Sequence, residues 1–440
     1  MNSRVTRRSF LQVAGGGLAL SMLSACAIAP SAAPGDDGQM AEPVTIQLMF
    51  WPVGGERGIA SMEKALEPFE EANPDIVVER LATPWGDLHD KFLTTSAGGV
   101  PPDVSAVDNY YLTQFASKGI LLALDERVGA DPSVNDEDYF EAAWNEGVWE
   151  GQRWSMPYIG STRVMYFNLD LFEAAGVPRP DEQWEAGEWT WDAFLESAAA
   201  LTNTSGDVMD TVYGAMADTS MWGGLQPWIW GAGGDELNDD RTQSLLNTPE
   251  AVSGFEFCQN LIHDHGVAPT RETTQDVNLV ATGRIGIWAS WRGLVMAYRS
   301  YDYNWEVVPF PKGAEGKLTL YKGNSMVVAK AGKNLDQAWQ LCKYMSSQEA
   351  DAIWISNGGA TPRKDNTDVL LNSRPPENNA YFYQPLAEGW AKTIPFTPLW
   401  VEWTRSLSPF LDRIFLDNED VQTVMDEAVV TIDGILQGES

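Results

Sequence analysis

Tryptophan is the residue this sequence uses most unusually. Nineteen occur in 440 residues, and an indole suits a surface that must offer both an apolar face and an N–H donor. Two of them stand three apart in "GRIGIWASWRG", residues 283–293. Gly286, Ala289, Ser290 and Gly293 supply little bulk to cover Trp288 and Trp291. Each indole therefore either fills a core or stays open for something to stack on.

Catalytic and metal chemistry is harder to assemble. His89, His263 and His265 are the only histidines. The last two are two residues apart near a helix end, where they diverge and cannot chelate together. No HExxH, GxSxG or GxxxxGK[ST] pattern occurs, and no Cys-His signature. Acidic residues are abundant, but the facing carboxylate pair that a glycosidase needs is not visible in a sequence. No metal and no cofactor is implied.

The elements that must position these residues begin at Val44. "VTIQLMF" sets Val44, Ile46, Leu48 and Phe50 on one face and predicts a strand. Ile59, Met62, Leu66 and Phe69 keep helical spacing until Asn73-Pro74 stops them. "IVVERL" and "DVSAV" read as strands, "HDKFLTTSAGG" and "YYLTQFASKG" as helices closed by glycine. Further strands are expected at "RVMYFN", "RIGIWAS", "WEVVPF" and "NSMVVAK". Thr190 and Thr248 precede further helices, and the last 60 or so residues read as mainly helical. Strands alternating with helices argue for mostly parallel sheets covered by helices. At 440 residues the chain is too long for one ordinary core, so two lobes are expected.

The N-terminus has the layout of an export signal. Arg4, Arg7 and Arg8 precede an apolar run too short and glycine-rich to be a stable membrane span. Arg7-Arg8-Ser9-Phe10-Leu11 resembles the twin-arginine motif. Leu23-Ser24-Ala25-Cys26 resembles the bacterial lipobox, in which cleavage leaves Cys26 carrying lipid. Residues 27–43, rich in Ala, Pro, Gly and Asp, read as a flexible tether. Loss of residues 1–25 removes three arginines and no acid, taking the formal charge from −33 to −36. Such a surface repels nucleic acid and anionic headgroups, so a membrane is met through the lipid on Cys26. Cys258 and Cys342 sit on apolar helix faces and read as core residues; a disulfide between them stays open.

Several segments in order resemble the extracellular solute-binding proteins of ABC importers, in the sugar-binding family that includes maltose-binding protein. "ALEPFEEANPDIVVE" looks like the family's first helix and second strand. "DKFLTTSAGGVPPDVSAVDNYYLTQFASKGILLALDE" looks like its turn, strand and first binding loop. "YFNLDLFEAAGV", "EWTWDAFLESAAALT" and "ATGRIGIWASW" match three later segments. The usual Gly or Pro before the family's aromatic is Ser290 here.

The resemblance implies an α/β, two-lobe periplasmic-binding-protein-like fold, each lobe a mixed sheet flanked by helices, joined by hinge crossings. Lobe one would be residues 44–157 and 322–374, and lobe two residues 158–321 and 375–440. It implies a non-enzymatic, monomeric lipoprotein on the outer face of the cytoplasmic membrane. Such a protein captures a carbohydrate, here an oligosaccharide, between the lobes and delivers it to ABC permease subunits. The alternatives are a secreted glycosidase or lyase, or a receptor for a glycerol phosphodiester or polyol. Arg57, Arg163, Lys322 and Arg363 leave the phosphodiester open.

A sugar cleft needs aromatic platforms beside planar polar groups, and open α/β sheets bind ligand at strand carboxyl ends. On that basis lobe one offers Trp51, Glu56 and Arg57, then Trp85 and Asp87, then Asp108, Asn109 and Tyr110. The crossings offer Tyr158 and the run Lys322, Gly323 and Asn324. Lobe two offers Trp222, Trp228, Trp288, Trp291 and Trp400, and "NGGATPRK" offers Arg363. Trp291 is the expected stacking platform, and Trp288 is core or cleft floor.

Overall fold

Strand β1 (Val44–Phe50) buries Ile46, Leu48 and Phe50, the alternation expected of a sheet with helices against it. It pairs in parallel with β2 (Ile76–Ala82) on one side and β3 (Val104–Asp108) on the other. Helices α1 (Glu56–Ala72), α2 (Trp85–Ala97) and α3 (Asn109–Ser117) each follow one of these strands. All three strands therefore deliver their carboxyl ends, and the helix starts beyond them, to one rim. The structure, a computed structural model, describes residues 42–204, 210–274 and 277–438. The export signal, Cys26 and nearly all of the tether lie outside the described residues.

A short hairpin, β4 (Val148–Trp149) with β5 (Gln152–Arg153), leads into β6 (Met156–Asn168). Every residue of β6 is buried. A strand covered on both faces reads as a continuous run instead of an alternation, which is why only its second half looks like a strand in the sequence. Residues 156–162 of β6 pair with β10 (Thr319–Val328), and residues 163–168 pair with β8 (Ile285–Trp291) and β9 (Trp305–Val308). Strand β7 (Tyr213–Ala215) adds to β8, and β11 (Ala391–Lys392) adds to β10. The main path runs β2-β1-β3-β10-β6-β8-β7. Strands β6 and β10 are thus common to both ends of one continuous sheet.

Two apolar clusters flank this path. One gathers Leu48, Phe50, Leu66, Val104, Met326 and Cys342 around β1–β3 and β10. The other gathers Phe167, Trp189, Phe255, Cys258, Ile287 and Trp403 around β6, β8 and the C-terminal helices Trp400–Phe415 and Val421–Leu436. Cys258 and Cys342 are buried free thiols in different clusters, so the open disulfide is not formed. Thr190 and Thr248 cap the helices Trp191–Leu201 and Pro249–Ile262 through their side-chain oxygens. A cap of this kind contributes about 1 kcal/mol.

Candidate functional site

The rim where β1, β2 and β3 end faces the end of β8 across the middle of the sheet. A cavity of about 180 Å³ lies there. Trp51 follows β1, Trp85 opens α2 after β2, and Asp108 ends β3. Ile159 and Ser161 reach it from β6, Lys322 and Asn324 from β10, and Trp291 from the end of β8. Trp354, from helix Gln348–Ser356, closes one side. Four indoles thus surround a carboxylate, an ammonium, an amide and a hydroxyl.

The charges in this wall are matched. Lys322 Nζ lies 2.6 Å from Asp108 Oδ2, and Trp85 Nε1 donates to the same oxygen at 3.2 Å. Asp108 is fully buried, so Lys322 supplies the compensation its charge requires. His89 accepts from the Asp108 N–H at 3.0 Å and stacks on Tyr111 at 3.8 Å. Burial, with the nearby Lys322 charge opposing Asp108, brings His89 down to about 4, so it stays neutral. The Trp291 ring is flanked by Lys322 at 5.4 Å and Arg163 at 5.2 Å, both within cation–π range. Arg163 in turn pairs with Asp218 and donates to the Ala289 carbonyl. Burial would raise Asp218, but Arg163 and Ser220 outweigh it and hold its carboxyl below the usual range.

Behind this wall sits a second polar group that does not reach the cavity. Glu146 Oε2 accepts from Asn109 Nδ2 at 2.6 Å and from the Gly323 N–H at 2.8 Å. Burial raises Glu146 to about 8 against the pull of those two donors. Asn109 and Gly323 are therefore corrected from ligand contacts to partners of Glu146. Successive strand residues face opposite ways, so Gly323 points away from the side that Lys322 and Asn324 share.

A larger cavity of about 320 Å³ lies on the same face of β8, where Ala289 stands two residues before Trp291. Trp222, Asp218, Ser220, Thr404 and Ser408 line it. Trp222 also meets Trp85 edge-on at 5.8 Å and Tyr110 at 5.1 Å, so it stands between the two cavities. The pair Arg163–Asp218 forms the rest of the partition.

Several expected contacts lie elsewhere. Trp288 is 2% exposed and stacks on Tyr166 at 5.7 Å; it belongs to the core. Trp228 is packed among Trp191, Phe194, Phe257 and Phe310 and is likewise core. Trp400 is fully buried between Tyr110, at 5.6 Å, and Trp403, at 4.6 Å. Tyr110 is buried in that stack, and Tyr158 is buried against Trp354. Arg363 is held by Asp138, Asp365 and the Ser346 carbonyl, so its charge serves the fold. Glu56 and Asp87 are exposed in the first turns of α1 and α2, outside the cavity lining. Arg57 donates to the Met296 carbonyl at 2.7 Å and lines a separate groove. Among the described residues no cluster of His, Cys, Asp and Glu could hold a metal, and no helix is long and apolar enough to cross a membrane.

Sequence reasoning missed Trp354, Ile159 and Ser161. Trp354 lies mid-helix and looks like core; its one signal is Gly358-Gly359 just beyond. A Cβ on Gly359 would collide with the Trp354 ring, so glycine there lets the indole sit against the backbone.

Two ends of one sheet joined by shared long strands, with an aromatic and polar cavity at the join, define a two-lobe solute-binding fold. The chain belongs to the bacterial extracellular solute-binding proteins, whose family description matches residues 54–352. A protein of Brucella abortus (strain 2308), named as a binding protein without a ligand, is 26% identical over 388 residues, covering 85% of this chain and 89% of the relative. An ABC substrate-binding protein of Listeria monocytogenes, solved in complex with cycloalternan, superposes with a TM-score of 0.81 at 22% identity, covering 90% of this chain and all of that one. A Mycobacterium tuberculosis protein solved with glycerophosphocholine gives a TM-score of 0.76 at 21% identity, covering 91% and 99%. The expected α/β two-lobe fold and the extracellular solute-binding family are what the chain has.

Proposed function

We propose that this chain is the receptor of an ABC importer, that it captures an oligosaccharide between its lobes, and that it hands the sugar to a membrane permease. The observation carrying this reading is the cavity at the lobe junction. Trp51, Trp85, Trp291 and Trp354 offer apolar faces to sugar C–H groups, and Asp108, Lys322, Asn324 and Ser161 offer partners to hydroxyls. The cavity alone is smaller than the roughly 300–1,000 Å³ usual for a ligand pocket. The adjoining 320 Å³ cavity beyond Trp222 gives a longer chain a second place to lie. We take lobe one as residues 44–157 and 322–374 and lobe two as 158–321 and 375–440, closing around β6 and β10. Export, lipid on Cys26 and a monomeric state complete the reading, resting on the N-terminal motifs and the family.

Two features favour this reading over its rivals. A phosphodiester held in the junction cavity needs unspent positive charge there, but Lys322 in its lining and Arg163 beside Trp291 are each paired with a carboxylate. Hydrolysis of a glycoside needs two acids facing one bond; among the described residues Asp108 lines the junction cavity tied to Lys322 and Trp85, and Asp218 and Asp412 line the adjoining one paired with Arg163 and Arg271. The test is a thermal-shift and calorimetric panel of neutral mono- and oligosaccharides with glycerophosphodiesters. A neutral oligosaccharide should raise the melting temperature by mass action and survive unaltered. A response to phosphodiesters alone, or turnover of the sugar, would reject the reading.

A further inference from the structure

The molecule carries 62 acidic and 29 basic residues, yet one locus beside the cavity gathers cations without acids. Three segments that line the cavity continue past it. Val53 leads to Arg57, Leu294 leads to Met296 and Arg299, and Trp354 leads to Asn357. Their continuations enclose a groove of about 350 Å³ lined by Arg57, Lys64, Met296, Arg299 and Asn357, with Ala60 and Ser61 on its floor. Among the described residues no carboxylate lines it.

Behind the groove stands Arg292, fully buried. Its guanidinium donates to the Asn379 side-chain oxygen and to the carbonyls of Gly359 and Ser373. Burial and the neighbouring Arg299 charge bring it down to about 9, despite the pull of Tyr166 and Asp351. Arg299 donates to the Pro375 and Ser373 carbonyls, and Arg57 to that of Met296. None of Arg57, Lys64, Arg292 and Arg299 has a carboxylate within 4.0 Å among the described residues. Elsewhere Arg163, Lys322 and Arg363 each have one, whereas the buried Arg153, like Arg292, donates to backbone carbonyls. Removing a charge from water without a counter-charge is costly, and carbonyl dipoles return only part of that cost.

We infer that this groove is an oxyanion site, taking a phosphate or carboxylate group between α1 and the 292–299 segment. The exposed Arg57 and Lys64 would meet the anion from lobe one, and Arg299 from lobe two. Arg57 already crosses to the Met296 carbonyl, so an anion there would add a second link between the same two segments. The oxyanion is either a free ion or a charged group on the bound carbohydrate.

Inorganic phosphate is the probe. The exported chain is melted in sodium phosphate and in sodium chloride at equal ionic strength, and phosphate is titrated by calorimetry. Phosphate also stabilises proteins in general by exclusion from their surface, so the same measurements are made on the double variant Arg57→Gln/Lys64→Gln. Both positions are exposed, but Arg57 also donates to the Met296 carbonyl, so each chain's phosphate response is taken relative to its own melting temperature in chloride. A saturable phosphate response that weakens about tenfold or more in the variant supports the site, since charge-assisted contacts are the strong ones. An equal response in parent and variant, or none beyond that in chloride, overturns it. Affinities for trigalacturonate and a neutral trisaccharide then separate the sources. Tighter binding of the charged sugar by the parent only, with phosphate competing, assigns the group to the ligand. Equal affinities beside a phosphate response assign it to the free ion. The phosphate titration needs no sugar, so its failure is distinct from failure of the carbohydrate reading.

Discussion

Trp291 and Trp288 differ in fate because they stand three apart on a strand. Residues 287, 289 and 291 share one face of β8 and 288 and 290 the other, so one indole reaches the cavity and the other the core. Trp288→Ala should cost about 3–5 kcal/mol of stability, as large-to-small core changes do. Trp291→Ala should cost far less stability but weaken carbohydrate binding about tenfold or more, through loss of a stacking face. Denaturant melts and calorimetry on both variants check the contrast, and equal stability losses would return Trp291 to the core. Glu146 gives a pH prediction. Burial raises it from 4.5 to about 8, so the folded chain keeps a proton the unfolded chain releases. That contribution is whole below 4.5 and is lost as pH rises through 8. Glu146→Gln should therefore gain on the parent between these values, by at most about 1.4 kcal/mol per pH unit. A parent-minus-variant difference in unfolding free energy that is flat from pH 5 to 8 would refute this. Residues that follow a strand, such as Trp51, Trp85, Asp108 and Trp291, were legible because strand ends mark the rim. Gly323 was over-read because its neighbours' roles were extended to it across the period-two alternation, and Asn109 because it follows Asp108 at the start of α3, where its side chain turns to Glu146. Trp354 was illegible because a helix remote in sequence delivers it.

The elements that bring these residues together are β6 and β10, and their packing leaves no room at two glycines. A Cβ on Gly160 would overlap the Tyr321 hydroxyl, and one on Gly323 would overlap Glu146 Oε2. Both glycines stand opposite each other in the β6–β10 register. Gly160→Ala should lower the melting temperature and weaken ligand binding together, because the strand pair that sets Ser161 and Lys322 must shift. Tyr321→Phe in the same chain should recover part of both losses by removing the overlapping oxygen. Recovery of neither would place the strain in the backbone itself. At this scale the parallel strands β1, β2 and β3 and their helices were readable from alternation and glycine stops. The first half of β6 was not. "MPYIGST" mixes proline, glycine and hydroxyls, and its strand form comes from pairing with β10 and burial on both faces, not from its own propensity.

For the whole molecule the question is what holds the lobes together. The contacts across the junction are aromatic and polar: Trp222 meets Trp85, Tyr110 and Tyr111, Trp400 stacks on Tyr110, Arg292 donates to the Gly359 and Ser373 carbonyls, Arg299 to that of Ser373 and Arg57 to that of Met296. Trp400 is locked into its own lobe by burial, whereas Trp222 is half-buried on a loop between two cavities. A net charge of −33 adds repulsion that opposes compaction, and this repulsion is screened by salt. Closure is therefore a balance between ring and arginine–carbonyl contacts on one side and a diffuse charge on the other, and a ligand bound by both lobes shifts it by its differential affinity for the closed state. Trp222→Ala removes the ring contacts to Trp85, Tyr110 and Tyr111 from the closing side of that balance. Small-angle scattering of the ligand-free variant at low salt should give a larger radius of gyration than the parent. Added salt should narrow the gap, and a binding oligosaccharide should narrow it further. If the two chains scatter alike at every salt concentration, the lobes are held by β6, β10 and the Arg57–Met296 contact, and Trp222 serves the ligand alone.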